Sequence, residues 1–577
     1  MVMLIGRISM IVALAAACGK STPEHTEHTE HAPPPPVALA APAGYDRDAL
    51  GALHFQIAGG TPEARRDFDR GLLALHSFWY DEATRRFQAA ITVDPTFAMA
   101  YWGLAMSHAK LLWGDDDLDA GRAALQRMPN PSALPPHDQA WIVAALALFR
   151  RATPDVRASR AAFVAVMEQV YAKFPDDESA LFLALALLST VRPGEPDQLA
   201  VRKRAAGLAL EVFQRNPKHP GAAHYLIHAY DTPELAALAL PAARQYASIA
   251  PAAFHALHMP SHIFVRLGMW KDAVASCQAA WDASVAWVTR DHLSPALEDF
   301  HSLSWLIELS FERGRRKDAD RALATYAAAV RVGLPRDKRA AFANQVGSVL
   351  ARTGEWARVD ELLAPLRAPA SDGPGAGTSP ACGHPPVPAG SPTELFERRA
   401  VLATRAQAAA MQRDSAQLAR LLDQRDAVDA ELHPFLVATQ PKDFVAQADQ
   451  LRGLVRKALV ARARGDDRQM IAALQPLAID QDQEFTGEGT AGGVLHHEAI
   501  ADALLRLGEP ARALAEYRVV LANHVGRARS LLGAARAAAR SGDPAASREL
   551  YRALLATWRD ADGDTEGLAE ARRGVAP

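Results

Sequence analysis

Residue types recur at an interval of 34 along this chain of 577 residues, and no other feature of the sequence constrains the fold as strongly. Near the C-terminus, Gly508 and Gly542 are 34 positions apart, and so are Tyr517 and Tyr551. A fixed period of about 20 to 50 residues is typical of stacked repeats that bury their apolar faces against one another. Alanine, leucine, arginine and glutamate recur with helical spacing, and strand signals are rare. The sequence therefore predicts an elongated all-α protein built from repeated helical units.

The first complete unit reads ARRDFDRGLLALHSFWYDEATRRFQAAITVDP and begins at Ala64. With Ala64 as position 1, positions 8, 20, 24, 27 and 32 carry Gly71, Ala83, Phe87, Ala90 and Pro95. This pattern resembles the tetratricopeptide repeat (TPR). Its small residues let two antiparallel helices approach closely, its aromatic residue fills the gap between them, and its proline ends the second helix. We expect an α-solenoid of antiparallel helix pairs, a TPR-like superhelix with degenerate repeats in the middle.

The chain is also similar to a group of exported bacterial TPR proteins. The resemblance rests on segments such as RGLLALHSFWYDEA, HYLIHAYDTPE and HALHMPSHIFVRLGMW, and it spans most of residues 53 to 575. It implies the repeat fold and carries over no activity. In the TPR family, the first helix of each pair lines a concave groove, so the resemblance implies binding of a protein, a peptide or a small ligand there.

The N-terminal sequence MVMLIGRISMIVALAAAC has the layout of an export signal. Arg7 precedes an apolar run that is too short to cross a bilayer, and small residues precede Cys18. The last five residues resemble the bacterial lipobox, which implies lipidation of Cys18; an ordinary cleaved signal with an incidental cysteine is the alternative. Gly19 follows the cysteine, and by family analogy this favours the outer membrane. We expect an exported envelope protein that meets the membrane only through its lipid anchor.

Composition divides the chain into five segments. They are a lipoprotein signal peptide (1–18), a His- and Pro-rich tether (19–45), an N-terminal TPR-like superhelix (46–367), a Gly-, Pro- and Ser-rich segment (368–392) and C-terminal TPR-like helical repeats (393–577). The tether shows no helical or strand period, so we expect it to be disordered. The fourth segment is too long for a packed connection and predicts a mobile loop. The sequence leaves open whether the superhelix continues across this loop.

Histidines are concentrated in the middle of the chain, where five of the 20 lie within 39 residues. They are His224, His228, His255, His258 and His262. His224 and His228 are spaced i, i+4, as are His258 and His262, so each pair shares one face of a helix. The second pair follows the first by 34 residues and therefore occupies the equivalent place in the next repeat. In the TPR family these positions face the groove.

The histidine pairs support a hypothesis of metal binding. Four imidazoles from two adjacent helices would suit a divalent transition metal such as zinc, copper, nickel or iron. Asp231 would act as a further ligand or would orient one of the rings. Pro260 lies between His258 and His262, and two outcomes are open. If the helix runs through the proline, the four rings can converge, whereas a helix that starts there takes His258 off the shared face.

A groove without metal is the competing hypothesis. It would hold a protein, a peptide or a small ligand against His255, Trp102, Arg266 and His301. Packing of the histidines in the core is a third possibility. The sequence favours the binding groove as the function of the protein, and keeps a metal-binding protein or metalloenzyme as the alternative.

Several classes of function receive no support from the sequence. The 63 basic and 66 acidic residues give a net charge of -3, which argues against nucleic acid as a partner. The chain contains no GxSxG, Walker A or CxxCH motif, and HHEAI at residues 496–500 lacks the second histidine of a zinc protease helix. The sequence leaves enzymatic activity undecided and favours binding over catalysis.

Overall fold

The computed structural model describes residues 49–113, 116–149, 156–192, 195, 197–371, 390–440, 442–484 and 494–576. The signal peptide, Cys18 and the tether at 19–45 lie outside these residues, as does most of the segment at 368–392. Over the described residues, the chain is helical and contains no β-strand. Successive helices pack as antiparallel pairs. The predicted all-α solenoid is confirmed.

The N-terminal half contains helices α1 to α13. Their bounds are α1 Pro62–His76, α2 Tyr80–Val93, α3 Ala98–Ser107, α4 Leu118–Gln126, α5 Pro136–Phe149, α6 Val156–Lys173, α7 Asp177–Leu188, α8 Gln198–Arg215, α9 Pro220–Tyr230, α10 Ala236–Ile249, α11 Phe254–His258, α12 Pro260–Arg266 and α13 Trp270–Arg290. Many of these helices are buried on several faces, as α7 and α9 show, because neighbours cover them on both sides.

The remaining helices are α14 to α26. Their bounds are α14 Phe300–Glu312, α15 Arg316–Gly333, α16 Arg336–Thr353, α17 Val359–Leu362, α18 Pro392–Met411, α19 Ser415–Thr439, α20 Lys442–Arg464, α21 Asp467–Glu484, α22 His496–Arg506, α23 Pro510–Asn523, α24 Ala528–Arg540, α25 Pro544–Thr557 and α26 Leu568–Gly574. Short 3-10 turns lie at Pro131–Ala133, Pro295–Leu297, Trp356–Arg358 and Ala364–Arg367.

The repeat register predicted from the sequence explains how the helix pairs pack. The ring of Phe87 fills the gap between α1 and α3, so closely that a Cβ at Gly103 would overlap it. Tyr517 and Gly533 make the same close approach near the C-terminus. Phe87 and Tyr517 both stand at position 24, and Gly103 and Gly533 both stand at position 6 of the following unit. The same packing device is therefore used at both ends of the chain.

Gly103→Ala is expected to lower the free energy of unfolding by about 1 to 3 kcal/mol, because the new methyl group must displace the Phe87 ring. Gly207→Ala is the matched control, since Gly207 lies within α8 with open space around it. There the better helix propensity of alanine should stabilise by up to about 1 kcal/mol. Urea unfolding of the two variants measures both effects, and equal values for them would contradict the packing argument.

Helices on the two sides of the segment at 368–392 pack directly against each other. The hydroxyl of Thr404 in α18 donates to the carbonyl oxygen of Ala343 in α16, at 2.9 Å. The Arg339 guanidinium pairs with the Glu397 carboxylate at 2.7 Å, and both side chains are buried. The helix stack therefore continues from α16 to α18.

The C-terminal repeats fold back onto the middle of the solenoid. The Trp270 indole, at the start of α13, donates to the carbonyl oxygen of Gly526 at 3.1 Å. The Trp558 indole donates to the carbonyl oxygen of Glu312, also at 3.1 Å. These bonds join residues 256 and 246 positions apart, respectively. The solenoid thus closes on itself where the turns after α12 and α14 meet the last helix pairs.

Arg527 lies at the centre of this closure and its side chain is fully buried. Its guanidinium donates to both oxygens of the Glu498 carboxylate, at 2.7 and 2.9 Å. It also lies 3.3 Å from the carboxylate of Glu312, at the end of α14. One buried cation therefore connects the C-terminal repeats with the middle of the chain.

Candidate metal centre

Three helices bring the histidines together. α9 carries His224 and His228, and α11 and α12 carry His255, His258 and His262. The helical path runs through Pro260, because Met259 between the two short helices has helical dihedral angles of -54° and -34°. Pro260 stands at the first position of α12, where its missing N–H costs little. His258 and His262 therefore remain on one face, with their Nε2 atoms 3.1 Å apart.

The histidines form two groups of three, which corrects the expectation of one four-histidine site. The first histidine cluster contains His224, His228 and His255, and the second contains His258, His262 and His301. Within each cluster, the three ligand nitrogens lie within 4.8 Å of one another. The clusters are neighbours, since the rings of His255 and His258 are 6.0 Å apart. His301, which the sequence assigns to the groove, completes the second cluster from α14.

Hydrogen bonds fix the protonation of two rings in the second cluster. The Asp299 carboxylate accepts the hydroxyl hydrogen of Ser302, so the Ser302 oxygen accepts in turn from Nδ1–H of His258, at 2.9 Å. Asp231 accepts from Nδ1–H of His262, at 3.0 Å. In its neutral form, each ring carries this hydrogen on Nδ1, which leaves its Nε2 with a bare lone pair. Asp231 orients a ring in this way, which is one of its two predicted roles.

The two lone pairs of the second cluster face each other across 3.1 Å, an arrangement that is repulsive unless a proton or a cation lies between them. Burial holds the pKa of His258 well below its ordinary value, which disfavours a proton on that ring. His301 brings a third nitrogen, with Nε2 3.1 Å from that of His258. Three imidazole nitrogens thus converge on a point that suits a cation.

The first histidine cluster has a similar form with neutral surroundings. Nδ1–H of His224 donates to the carbonyl oxygen of His76 at 2.7 Å, which leaves Nε2 of His224 bare and 2.9 Å from Nε2 of His228. The third member, His255, is 8% exposed, and its Nε2 is buried without a hydrogen-bond partner. Burial holds the pKa values of His224 and His255 well below the ordinary value, so both rings are neutral. Neutral imidazoles are the form that binds metal.

The distances in both clusters are close to those of a metal site. An ion with tetrahedral bonds of about 2.0 to 2.1 Å to imidazole nitrogen sets its ligand nitrogens about 3.3 Å apart. Three pairs of Nε2 atoms in these clusters lie at similar distances. They are His224 and His228 at 2.9 Å, His258 and His262 at 3.1 Å, and His258 and His301 at 3.1 Å. Small shifts of the rings would therefore place three nitrogens around an ion in each cluster and leave a fourth position open.

A third histidine group provides an internal comparison. The buried Glu178 carboxylate accepts from Nε2–H of His76 at 2.7 Å and from Nε2–H of His219 at 3.0 Å. Nδ1 of His76 accepts from the Tyr225 hydroxyl at 2.9 Å. Burial raises the pKa of Glu178, but the two imidazoles outweigh it and hold this pKa at about 2. The hydrogen bonds of this group are mutually consistent, because each Nε2–H donates to its own oxygen of the carboxylate.

The structure buries three of the four residues that the sequence assigns to a ligand groove, and the fourth, His301, is half-buried. Trp102 is 1% exposed and packs against Phe55, Trp141 and Phe182, so its predicted place in the groove is corrected. Arg266 is 5% exposed and holds Asp231. The other two groove residues, His255 and His301, are members of the histidine clusters.

An aromatic residue in a strained turn covers the first cluster. Phe78 has φ 52° at the turn between α1 and α2, and the equivalent turn position in four other repeats is a glycine. These glycines are Gly268, Gly314, Gly508 and Gly542. The Phe78 ring is 4.3 Å from that of His224 and 5.7 Å from that of His255. A bulky residue in the left-handed region costs about 1 to 3 kcal/mol and is typical of functional sites.

Comparisons with known proteins find solved structures of low similarity. No family model and no curated protein matches the chain. The APC/C hetero-tetramer Cut9–Hcn1 matches with a TM-score of 0.34 and 11% identity over 93% of this chain and 79% of that one. Yeast Tom70 matches with a TM-score of 0.31 and 11% identity over 89% of this chain and 95% of that one. The TPR domain of P58(IPK) matches with a TM-score of 0.20 and 15% identity over 69% of this chain and 98% of that one. Similarity at this level says nothing about function.

Proposed function

We propose that this protein binds transition metal ions at the two histidine clusters of an exported, lipid-anchored helical-repeat scaffold. The observation that carries the proposal is the pair of bare Nε2 lone pairs on His258 and His262, 3.1 Å apart in a buried site. Six imidazoles and no carboxylate ligand suit zinc, copper, nickel or iron better than magnesium or calcium. With three ligands to each ion, a fourth position stays open for water or a ligand.

The proposal is tested by elemental mass spectrometry on protein purified without a histidine tag. We expect up to two equivalents of transition metal in the wild-type protein and a loss of about one in His258→Ala/His262→Ala. His433→Ala is the control, because His433 is exposed in α19 and lies outside both clusters. Folded wild-type protein that takes up no zinc, cobalt or copper after dialysis against each ion would refute metal binding.

Phe78→Gly is expected to keep the fold and to speed the release of metal from the first cluster about 10-fold, because the apolar cover over the rings is lost. Arg413→Gly is the matched control: Arg413 has φ 60° in the turn between α18 and α19 and is exposed. That change should relieve strain and leave metal release unaltered. Stopped-flow transfer of metal to a chelator measures the rates, and equal rates for the two variants would contradict the role of Phe78.

Lipidation of Cys18 and an envelope location remain part of the proposal. They are supported by the N-terminal sequence alone, which lies outside the described residues. Over the residues that the structure describes, no helix combines the length and the apolar character needed to span a bilayer. Radiolabelled palmitate incorporation into the wild-type chain but not into Cys18→Ser would support the anchor.

Capture of a protein or peptide by the concave face also stays a prediction. The four residues predicted to line this face are buried in the core or belong to the histidine clusters, so a partner would have to contact other side chains. They are His255, Trp102, Arg266 and His301. Pull-down from envelope extracts with wild-type protein and with the His258→Ala/His262→Ala variant would separate partner binding from metal binding.

A further inference from the structure

We propose, on the basis of the function proposed above, that the two histidine clusters are unequal: the second cluster selects a divalent ion and binds it first, and the first cluster selects Cu(I). The two clusters differ in the groups that contact their ligand rings on the side away from the metal. These groups differ in charge between the clusters, although the ligands themselves are three imidazoles in each case.

The second cluster is backed by two carboxylates. Asp231 accepts from the ring of His262 at 3.0 Å, and Asp299 reaches the ring of His258 through the hydroxyl of Ser302. Arg266 balances the charge of Asp231, which leaves the charge of Asp299 to compensate a cation. A carboxylate bonded behind a histidine ligand raises its basicity, and loss of such a partner costs about 10 to 100-fold in metal affinity.

The first cluster is backed by a neutral group and lies beside a cation. His224 donates to a main-chain carbonyl, that of His76, at 2.7 Å. The buried guanidinium of Arg202 donates to the carbonyl oxygen of His228, at 2.7 Å. The aromatic ring of Phe78 covers the imidazoles. The described contact behind His224 is therefore with a neutral carbonyl oxygen and not with a carboxylate.

The charge of the ion decides which cluster it enters. The cost of taking an ion out of water grows with the square of its charge, so a monovalent ion has about a quarter of the penalty of a divalent ion of similar size. Where a neutral carbonyl and not a carboxylate lies behind the ligand ring, that difference favours the monovalent ion Cu(I), and imidazole is a ligand that suits copper. The second cluster offers the negative charge that a divalent ion requires.

The experiment uses the full chain with Co(II) as the divalent probe and a bicinchoninate competition assay for Cu(I). We expect the first equivalent of Co(II) to bind at least about 10-fold more tightly than the second. His301→Ala should abolish the tight Co(II) absorption band and retain Cu(I) binding. His255→Ala should do the reverse. If His255→Ala removed the tight Co(II) equivalent, or if both equivalents bound equally, the assignment would be overturned.

Asp299→Asn tests the electrostatic part of the argument. Asp299 caps α14 by accepting from the amide of Ser302 at 3.1 Å, and asparagine can keep this bond. Asp543 caps α25 in the same way, from the amide of Ala546 at 2.9 Å, so Asp543→Asn is the matched control. We expect Asp299→Asn to weaken Co(II) binding by about 10 to 100-fold and to leave Cu(I) binding unchanged. Equal Co(II) affinities in the two variants would overturn the role of the carboxylate.

The outcomes separate the inference from the function on which it rests. Wild-type protein that binds neither Co(II) nor Cu(I) refutes metal binding altogether. Protein that binds both ions at the same cluster, or without preference, refutes only the unequal assignment. Circular dichroism of each variant shows that the loss of an equivalent does not result from unfolding.

Discussion

Arg527→Ala is expected to lower the free energy of unfolding by about 3 to 5 kcal/mol, because it leaves the buried Glu498 carboxylate without its guanidinium. Burial raises the pKa of Glu498, but the charge of Arg527 outweighs it and holds this pKa at about 2. Without Arg527, the carboxylate must remain charged in the core or take up a proton. The loss also removes the contact with Glu312 and so weakens the closure, while the hydrogen bond from Trp558 to the Glu312 carbonyl remains.

Arg536→Ala provides the control from the same region. Arg536 lies within α24, is about one third exposed, and pairs with Glu570 at 2.7 Å. A partly exposed pair of this kind contributes at most about 1 kcal/mol. Guanidinium unfolding followed by circular dichroism compares the variants. If Arg527→Ala lowered the free energy of unfolding by no more than Arg536→Ala does, the closure would contribute little to stability.

Glu178→Gln is expected to destabilise the protein by about 3 kcal/mol at pH 7, with both metal sites retained. In the native protein, two imidazole N–H groups donate to the carboxylate. A glutamine side chain accepts at only one of its two polar atoms, so one N–H would face another donor. The pKa of about 2, against 4.5 for an ordinary glutamate, corresponds to a free energy of this size.

The effect of Glu178→Gln should depend on pH in a defined direction. The folded-state pKa of Glu178 is lowered, so its stabilisation is present above the unfolded value of 4.5 and is lost as the pH falls toward 2. The difference in the free energy of unfolding between the wild-type protein and Glu178→Gln should therefore become smaller below pH 4.5. Glu63→Gln, an exposed change in the first turn of α1, should show neither effect. A difference that stays constant down to pH 3 would contradict the ionised state of Glu178.

The fold followed from the sequence because the repeat places the same residue types at the same structural positions. The repeat position of Phe87 predicts a ring between two helices, whereas the glycine that it approaches, Gly103, is identified only in the structure. The same holds for Gly533 opposite Tyr517. The histidine pairs at i, i+4 likewise identified four of the six cluster members. A helical face is a local property, and local spacing in the sequence determines it.

The grouping of the histidines depended on information that spacing does not contain. His255 stands three residues before His258, yet the turn of the helix directs it to the neighbouring cluster. His301 arrives from a different helix pair, beyond the part of the chain where the repeat register is regular. His76 and Glu178 are 102 residues apart and meet only through tertiary packing. Asp299 lies two residues before His301, and nothing in that spacing shows that it reaches the ring of His258 through Ser302.

The closure between the turns after α12 and α14 and the last helix pairs changes how this repeat protein should fold. In an open solenoid each repeat contacts only its neighbours, so unfolding can begin at either end and spread unit by unit. Here contacts over about 250 residues join the two halves, which raises the contact order and slows the last folding step. All six cluster histidines lie before residue 302, so in a chain that emerges from its N-terminus they appear well ahead of the repeats that close the ring. Under the proposed function, metal can therefore reach its ligands in a half-formed solenoid before the final repeats dock.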